Sequence, residues 1–221
     1  MTVAAIILAN SPESALADAD GMPSVRRIAD VAWSGGALPI IVLAPDPDGA
    51  VATSLAGSEA ILGVPAPVEA GPAGQMVRGT ELAAAEVGDL TGALLWPARM
   101  VWVGPETITS LIEAHGVARD TMLRPTWQGE PGWPVLLPLS GLDALRSVPP
   151  DIMPPDIVER LAATLPTRDV DLGDPGVTHD VDTPFEALPA YDGPPDPPAG
   201  HTHEWGEDVV SEAGLPAPEE P

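Results

Sequence analysis

Apolar positions along this chain come in short runs separated by stretches of helical spacing. Runs of strand length are Val3 to Ala9, Ile40 to Ala44, Ala60 to Gly63, Ala93 to Trp96 and Met122 to Pro125. Between the first two, Val25, Ile28, Ala29 and Ala32 fall at i, i+3, i+4 and i+7, which predicts an amphipathic helix over Ser24 to Trp33 ended by Gly35 and Gly36. Pro105 to His115 is the clearest helix: Pro105 suits its first position, Glu106 its first turn, and Ile108, Leu111 and Ile112 share a face. Gly116 is expected to stop it. Further helices are expected from Gly71-Pro-Ala-Gly74 onward, carrying Met76, Val77 and Leu82, and over Asp156 to Leu165. Strand-like runs alternating with helical patterns predict βαβ units, hence an α/β domain around a mainly parallel sheet.

Composition divides the chain in two. After Leu188 it becomes rich in proline, glycine and acid, and such a segment buries too little apolar surface to offset its ordering entropy. The expected organisation is a domain over 1–189 and an acidic, Pro-rich tail, extended or disordered, over 190–221. The formal charge of −24 comes from 9 Lys+Arg against 33 Asp+Glu. Residues 166–221 hold 14 of the acids against Arg168 alone. With so few cations, binding to nucleic acid or an anionic membrane is not expected. All nine basic residues are arginine, which excludes a phosphate-cradling lysine and a Schiff base. The absence of cysteine removes thiolate metal sites and thiol nucleophiles. No apolar run approaches the roughly 18 residues of a membrane span, so a cytoplasmic protein is expected.

Several constellations have ordinary explanations. His201-Thr-His203-Glu204 has metal-ligand residue types without closed spacing. Asp18 and Asp20 suit a solvated turn better than a calcium loop. Ser110 and Ser140 have no histidine and acid arranged around them that a sequence can identify. In the tail, Trp205, Val209 and Val210 stand among acids after a proline-rich spacer, a pattern that suits docking onto a protein partner, with packing back onto the chain's own domain as the alternative.

Segments in consistent order carry a resemblance. Gly92-Ala-Leu-Leu-Trp-Pro-Ala-Arg-Met-Val-Trp-Val-Gly-Pro-Glu-Thr-Ile108 is similar to a strand, loop and helix of the MobA-like NTP transferases, in which the loop bears a metal-binding aspartate. Arg124-Pro-Thr-Trp-Gln-Gly-Glu-Pro-Gly-Trp-Pro-Val-Leu-Leu137 resembles that family's R-P-x-x-x-G-x-x-G-H-P-V-L segment, and Asp174-Pro-Gly-Val-Thr-His-Asp-Val-Asp-Thr-Pro184 its closing D-x-D-T-P motif. The resemblance implies a three-layer α/β/α, doubly wound fold of the nucleotide-diphospho-sugar transferase type over 1–189.

The same comparison implies a vestigial site. Asn10, Ser11 and Pro12 stand where the family has loop glycines, which hinders close backbone approach to phosphate, and the motif's arginine and lysine have no counterpart before Pro23. Arg99 takes the place of the metal-binding aspartate, while Asp180 and Asp182 persist, so an Arg99 ion pair to one of them is expected instead of a metal bridge. Asp182-Thr183-Pro184 also reads as a helix N-cap. Trp133 replaces the family's histidine, and Trp96 and Trp102 crowd the loop around Arg99. The expectation is a catalytically degenerate scaffold or accessory protein without metal or cofactor, linked through the family to molybdenum-enzyme maturation. The alternatives are an active nucleotidyltransferase using Mg²⁺ and CTP or GTP at an altered site, and a nucleotide sensor without turnover.

Overall fold

The computed structural model describes residues 1–193. Its strands are β1 (Thr2–Leu8), β2 (Ile40–Leu43), β3 (Ala60–Gly63), β4 (Leu90–Pro97), β5 (Met122–Trp127), β6 (Glu130–Pro131), β7 (Val135–Pro138) and β8 (Thr167–Asp171). Its helices are α1 (Pro12–Ala15), α2 (Ser24–Ser34), α3 (Ala50–Ser54), α4 (Gly71–Glu86), α5 (Pro105–Val117), α6 (Leu142–Arg146) and α7 (Pro154–Ala162).

One sheet runs β3-β2-β1-β4-β7-β5-β6, with β8 pairing β5. The pairings β1 with β2, β2 with β3, β1 with β4 and β5 with β8 are parallel, and β7 enters antiparallel to both β4 and β5. Side chains of a strand point alternately to the two faces, and both faces here are covered. Val3, Ala5 and Ile7 of β1, Ile40 and Val42 of β2, and Leu94 and Trp96 of β4 pack with α2 and α5. Ala4, Ile6, Ile41, Leu43, Ala93 and Leu95 pack on the other face with α4, α6 and α7. That double burial is why these strands read as unbroken apolar runs. Among the described residues no helix is long and apolar enough to cross a membrane.

Some boundaries differ from the sequence reading. Gly116 does not stop α5, which continues through it to Val117. The helix expected from Asp156 begins at Pro154, where two prolines occupy positions whose N–H groups need no helical partner, and ends at Ala162. The edge strand β8 shows no strand-like pattern because its residues are mostly exposed and Val170 alone packs on the core; Arg124 of β5 binds Asp169 at 2.7 Å and Glu159 of α7 at 2.7 Å. Asp182-Thr183-Pro184 does not cap a helix by side chain: the 3₁₀ turn Phe185–Ala187 follows Pro184 without a side-chain cap bond.

A buried polar contact on α5 sets a pH dependence. Thr91 Oγ1 donates its proton to Thr2 O, so it can only accept from His115 Nε2, 3.2 Å away. His115 Nδ1 is buried without a partner. Protonating it would place an N–H where no acceptor waits, and burial, with Arg119 adding repulsion, lowers the His115 pKa below 6.5. The unfolded chain therefore takes up this proton first, so the contribution is complete above about pH 6.5 and fades as pH falls from there toward the folded value. Urea midpoints are expected to drop below about pH 6.5, with a slope of at most ~1.4 kcal/mol per pH unit from this one group. His115→Gln should flatten that drop; an unchanged slope would assign it elsewhere.

Candidate functional site

In an open α/β sheet, ligands bind beyond the carboxyl ends of the strands where the strand order reverses. Here the reversal lies between β1 and β4, since β2 and β3 extend one way from β1 and β4 the other. Backbone bonds carry the ladder past the strand ends: Ala9 N donates to Leu43 O at 2.9 Å and Ala98 N to Leu8 O at 2.8 Å. The next residues, Asn10 and Arg99, reach the wall of one cavity of about 430 Å³. Its walls are mostly carbon, from residues such as Leu43, Pro65, Val68, Met76 and Met153. Gln75 lines it as well, but its carboxamide is bound to Ala66, accepting from the backbone N at 2.9 Å and donating to the O at 2.8 Å. At the start of α4, Gly71 has φ +64°, and a Cβ there would lie 1.8 Å from Pro150 O. That contact holds the helix start against the loop leading to α7.

Among the described residues, Arg99 is the one basic residue in this wall. Its Nε and Nη2 donate to Asp180 Oδ2 at 3.2 and 2.9 Å, and Nη2 also binds Asp182 Oδ2. The hydrogen bond to Asp180 is the main cause raising the Arg99 pKa; the attraction of both carboxylates adds to it and burial opposes it. A divalent cation brought to these carboxylates would meet a guanidinium already holding them, so this donor set does not fit the metal that the fold type implies. Among the described residues no cluster of three or more His, Cys, Asp or Glu side chains is arranged to hold a metal ion.

The segment carrying the two aspartates is fastened at several points. Val181 N donates to Arg99 O at 2.8 Å, and Trp102 Nε1 lies 2.9 Å from Asp180 O and 3.0 Å from Thr183 O. Arg27 donates to Val101 O at 3.1 Å and stacks on the Trp102 ring, 4.9 Å from its centroid, with Phe185 alongside. Upstream, the buried Asp174 accepts from Gly104 N at 2.9 Å and Thr107 Oγ1 at 2.6 Å through Oδ2, and from Gly176 N at 2.8 Å through Oδ1. Gly104 is the N-cap of α5 and has no side chain to cap with. Asp174 supplies the missing carboxylate from a segment 70 residues away.

The structure brings only part of the sequence-derived set together. Asn10 and Arg99 line the cavity, and Asp180 and Asp182 join it through Arg99. Ser11 is instead the N-cap of α1, accepting from Ser14 N at 3.2 Å. Trp133 does not line the cavity: it is half-buried between the apolar layers on the two sheet faces. Trp96 is wholly buried, its Nε1 donating to Met100 O at 2.8 Å. The metal-like His201, His203 and Glu204 and the tail residues Trp205, Val209 and Val210 lie outside the described residues. In the sequence Asp174 only begins the closing motif, and no spacing reveals its contact with α5.

The family model described as MobA-like NTP transferase domain matches residues 11–169. The chain belongs to that family. Asp180 and Asp182 lie beyond the matched range, so in this MobA-like domain their place rests on the geometry above. Solved structures share the fold. The manganese complex of Rv0371c from Mycobacterium tuberculosis H37Rv has a TM-score of 0.58 at 19% identity, covering 78% of this chain and 89% of that one. A nucleotidyl transferase from Methanothermobacter has a TM-score of 0.60 at 16% identity, covering 77% and 87%. Molybdopterin-guanine dinucleotide biosynthesis protein A from Archaeoglobus fulgidus has 0.51 at 16%, covering 77% and 83%. At these identities the likeness concerns the fold alone. No curated protein sequence matches this chain.

Proposed function

We propose that this nucleotidyltransferase-like protein does not transfer nucleotides and serves in the cytoplasm as a scaffold or accessory protein for molybdenum-enzyme or cofactor maturation. The observation that carries the reading is Arg99, held by Asp180 and Asp182 at the end of β4. Nucleotidyl transfer needs cations around a triphosphate and a metal bridging its oxygens. The cavity offers one cation, and two carboxylates already neutralise it. Manganese in the mycobacterial relative marks the chemistry that this arrangement disfavours. The molybdenum link rests on the molybdopterin-guanine dinucleotide biosynthesis protein among the structural relatives.

Pyrophosphate release from CTP or GTP with Mg²⁺ or Mn²⁺ is expected to stay at the level of a no-protein control. Release at even ten times that level would make the protein an enzyme. Stabilisation by nucleotide without release would make it a sensor. The scaffold role is assigned to a protein partner engaged through Trp205, Val209 and Val210. Pull-downs with the full chain should recover a maturation protein that a chain ending at residue 189 does not; equal recovery by both would remove the tail from the proposal.

A further inference from the structure

The cavity between the ends of β1 and β4 is a binding site for an uncharged, largely apolar ring compound, we propose, and not for a phosphorylated one. The inference rests on the non-catalytic reading above and names what that same site takes instead. Its volume of about 430 Å³ falls in the range of roughly 300–1,000 Å³ typical of small-molecule pockets. Carbon dominates the walls, and the protein spends the cation and the one glutamine of the lining on itself. Arg99 is paired to two carboxylates, and Gln75 closes both of its hydrogen bonds on Ala66.

The protein's charge of −24 opposes the approach of any anion. Among the described residues, the side chains of Asn10 and Ser14, both on the lining, make no hydrogen bond within the protein. They offer one polar edge, enough to orient a neutral ring without holding a charge. At the mouth, Val68 is 92% exposed and Met153 62% exposed, though both also line the cavity. Apolar side chains left in water at the rim of an apolar hollow gain when a ring covers them, because the covered area leaves water.

The test uses the full chain and N-phenyl-1-naphthylamine, an uncharged fluorophore that brightens in apolar surroundings. Saturable brightening is expected. Val68→Glu and Met153→Glu, both at exposed positions that the fold does not depend on, should each weaken it about tenfold by placing charge at the mouth. CTP with Mg²⁺, at a large excess, should not displace the probe. No saturable signal, or a signal that neither substitution changes, would overturn the inference even if pyrophosphate release is absent and the non-catalytic reading stands. Displacement by CTP would overturn it too, and pyrophosphate release would then decide separately whether the non-catalytic reading falls with it.

Discussion

Asp174→Ala is expected to lower the unfolding free energy by about 2–4 kcal/mol, since it strands two buried donors and one half-buried donor, at a loss of about 1–3 kcal/mol for each buried donor left unsatisfied, partly relieved by relaxation. The donors are Gly104 N, Thr107 Oγ1 and Gly176 N. Two of them belong to the first turn of α5, where a carboxylate also complements the helix dipole. Asp174→Asn should fall between, because its oxygen can serve Gly104 and Thr107 while its amide faces the Gly176 N–H. Urea unfolding of both variants checks the order. A loss under about 1 kcal/mol for alanine would mean that water reaches these donors, and the cross-brace described above would then contribute little.

The second large effect concerns metal. Arg99→Asp replaces a guanidinium between two carboxylates with a third carboxylate, so the metal-free variant should lose about 1–2 kcal/mol through broken pairing and mutual repulsion. Oxygen donors alone then face the end of β4, the ligand type that Mn²⁺ prefers. With Mn²⁺ at ten times its dissociation constant, the variant should regain about 1.4 kcal/mol, a rise of about 3–5 °C in Tm. The natural chain should show no such rise under the same conditions. If it is stabilised equally, the guanidinium does not exclude the ion and the proposed lack of transfer activity loses its physical basis.

How much was legible in the sequence follows from where each signal lives. The parallel strands β1, β2 and β4 were legible because burial on both faces makes every position apolar. The helices α2 and α5 were legible through one apolar face and their end signals. The strand β8 was not, since it lies at an exposed edge and is held by ionic contacts to Arg124, which leave no period-two pattern. The family was legible because its motifs are local. Arg99 could be set beside Asp180 and Asp182 from those motifs alone. For Trp133 the alignment with a site histidine left a core or rim role open, and its indole packs against both apolar layers. Asp174 lay beyond reach, because a cap supplied from 70 residues away leaves no trace in spacing.

Arg99 grips the closing segment twice, by its side chain on the two aspartates and by its own carbonyl on Val181 N. The loop after β4 and residues 180–183 are therefore tied to one another through side chain and backbone together. Val68 and Met153 stand on an open side of the hollow, where a guest of the proposed kind would first touch the protein.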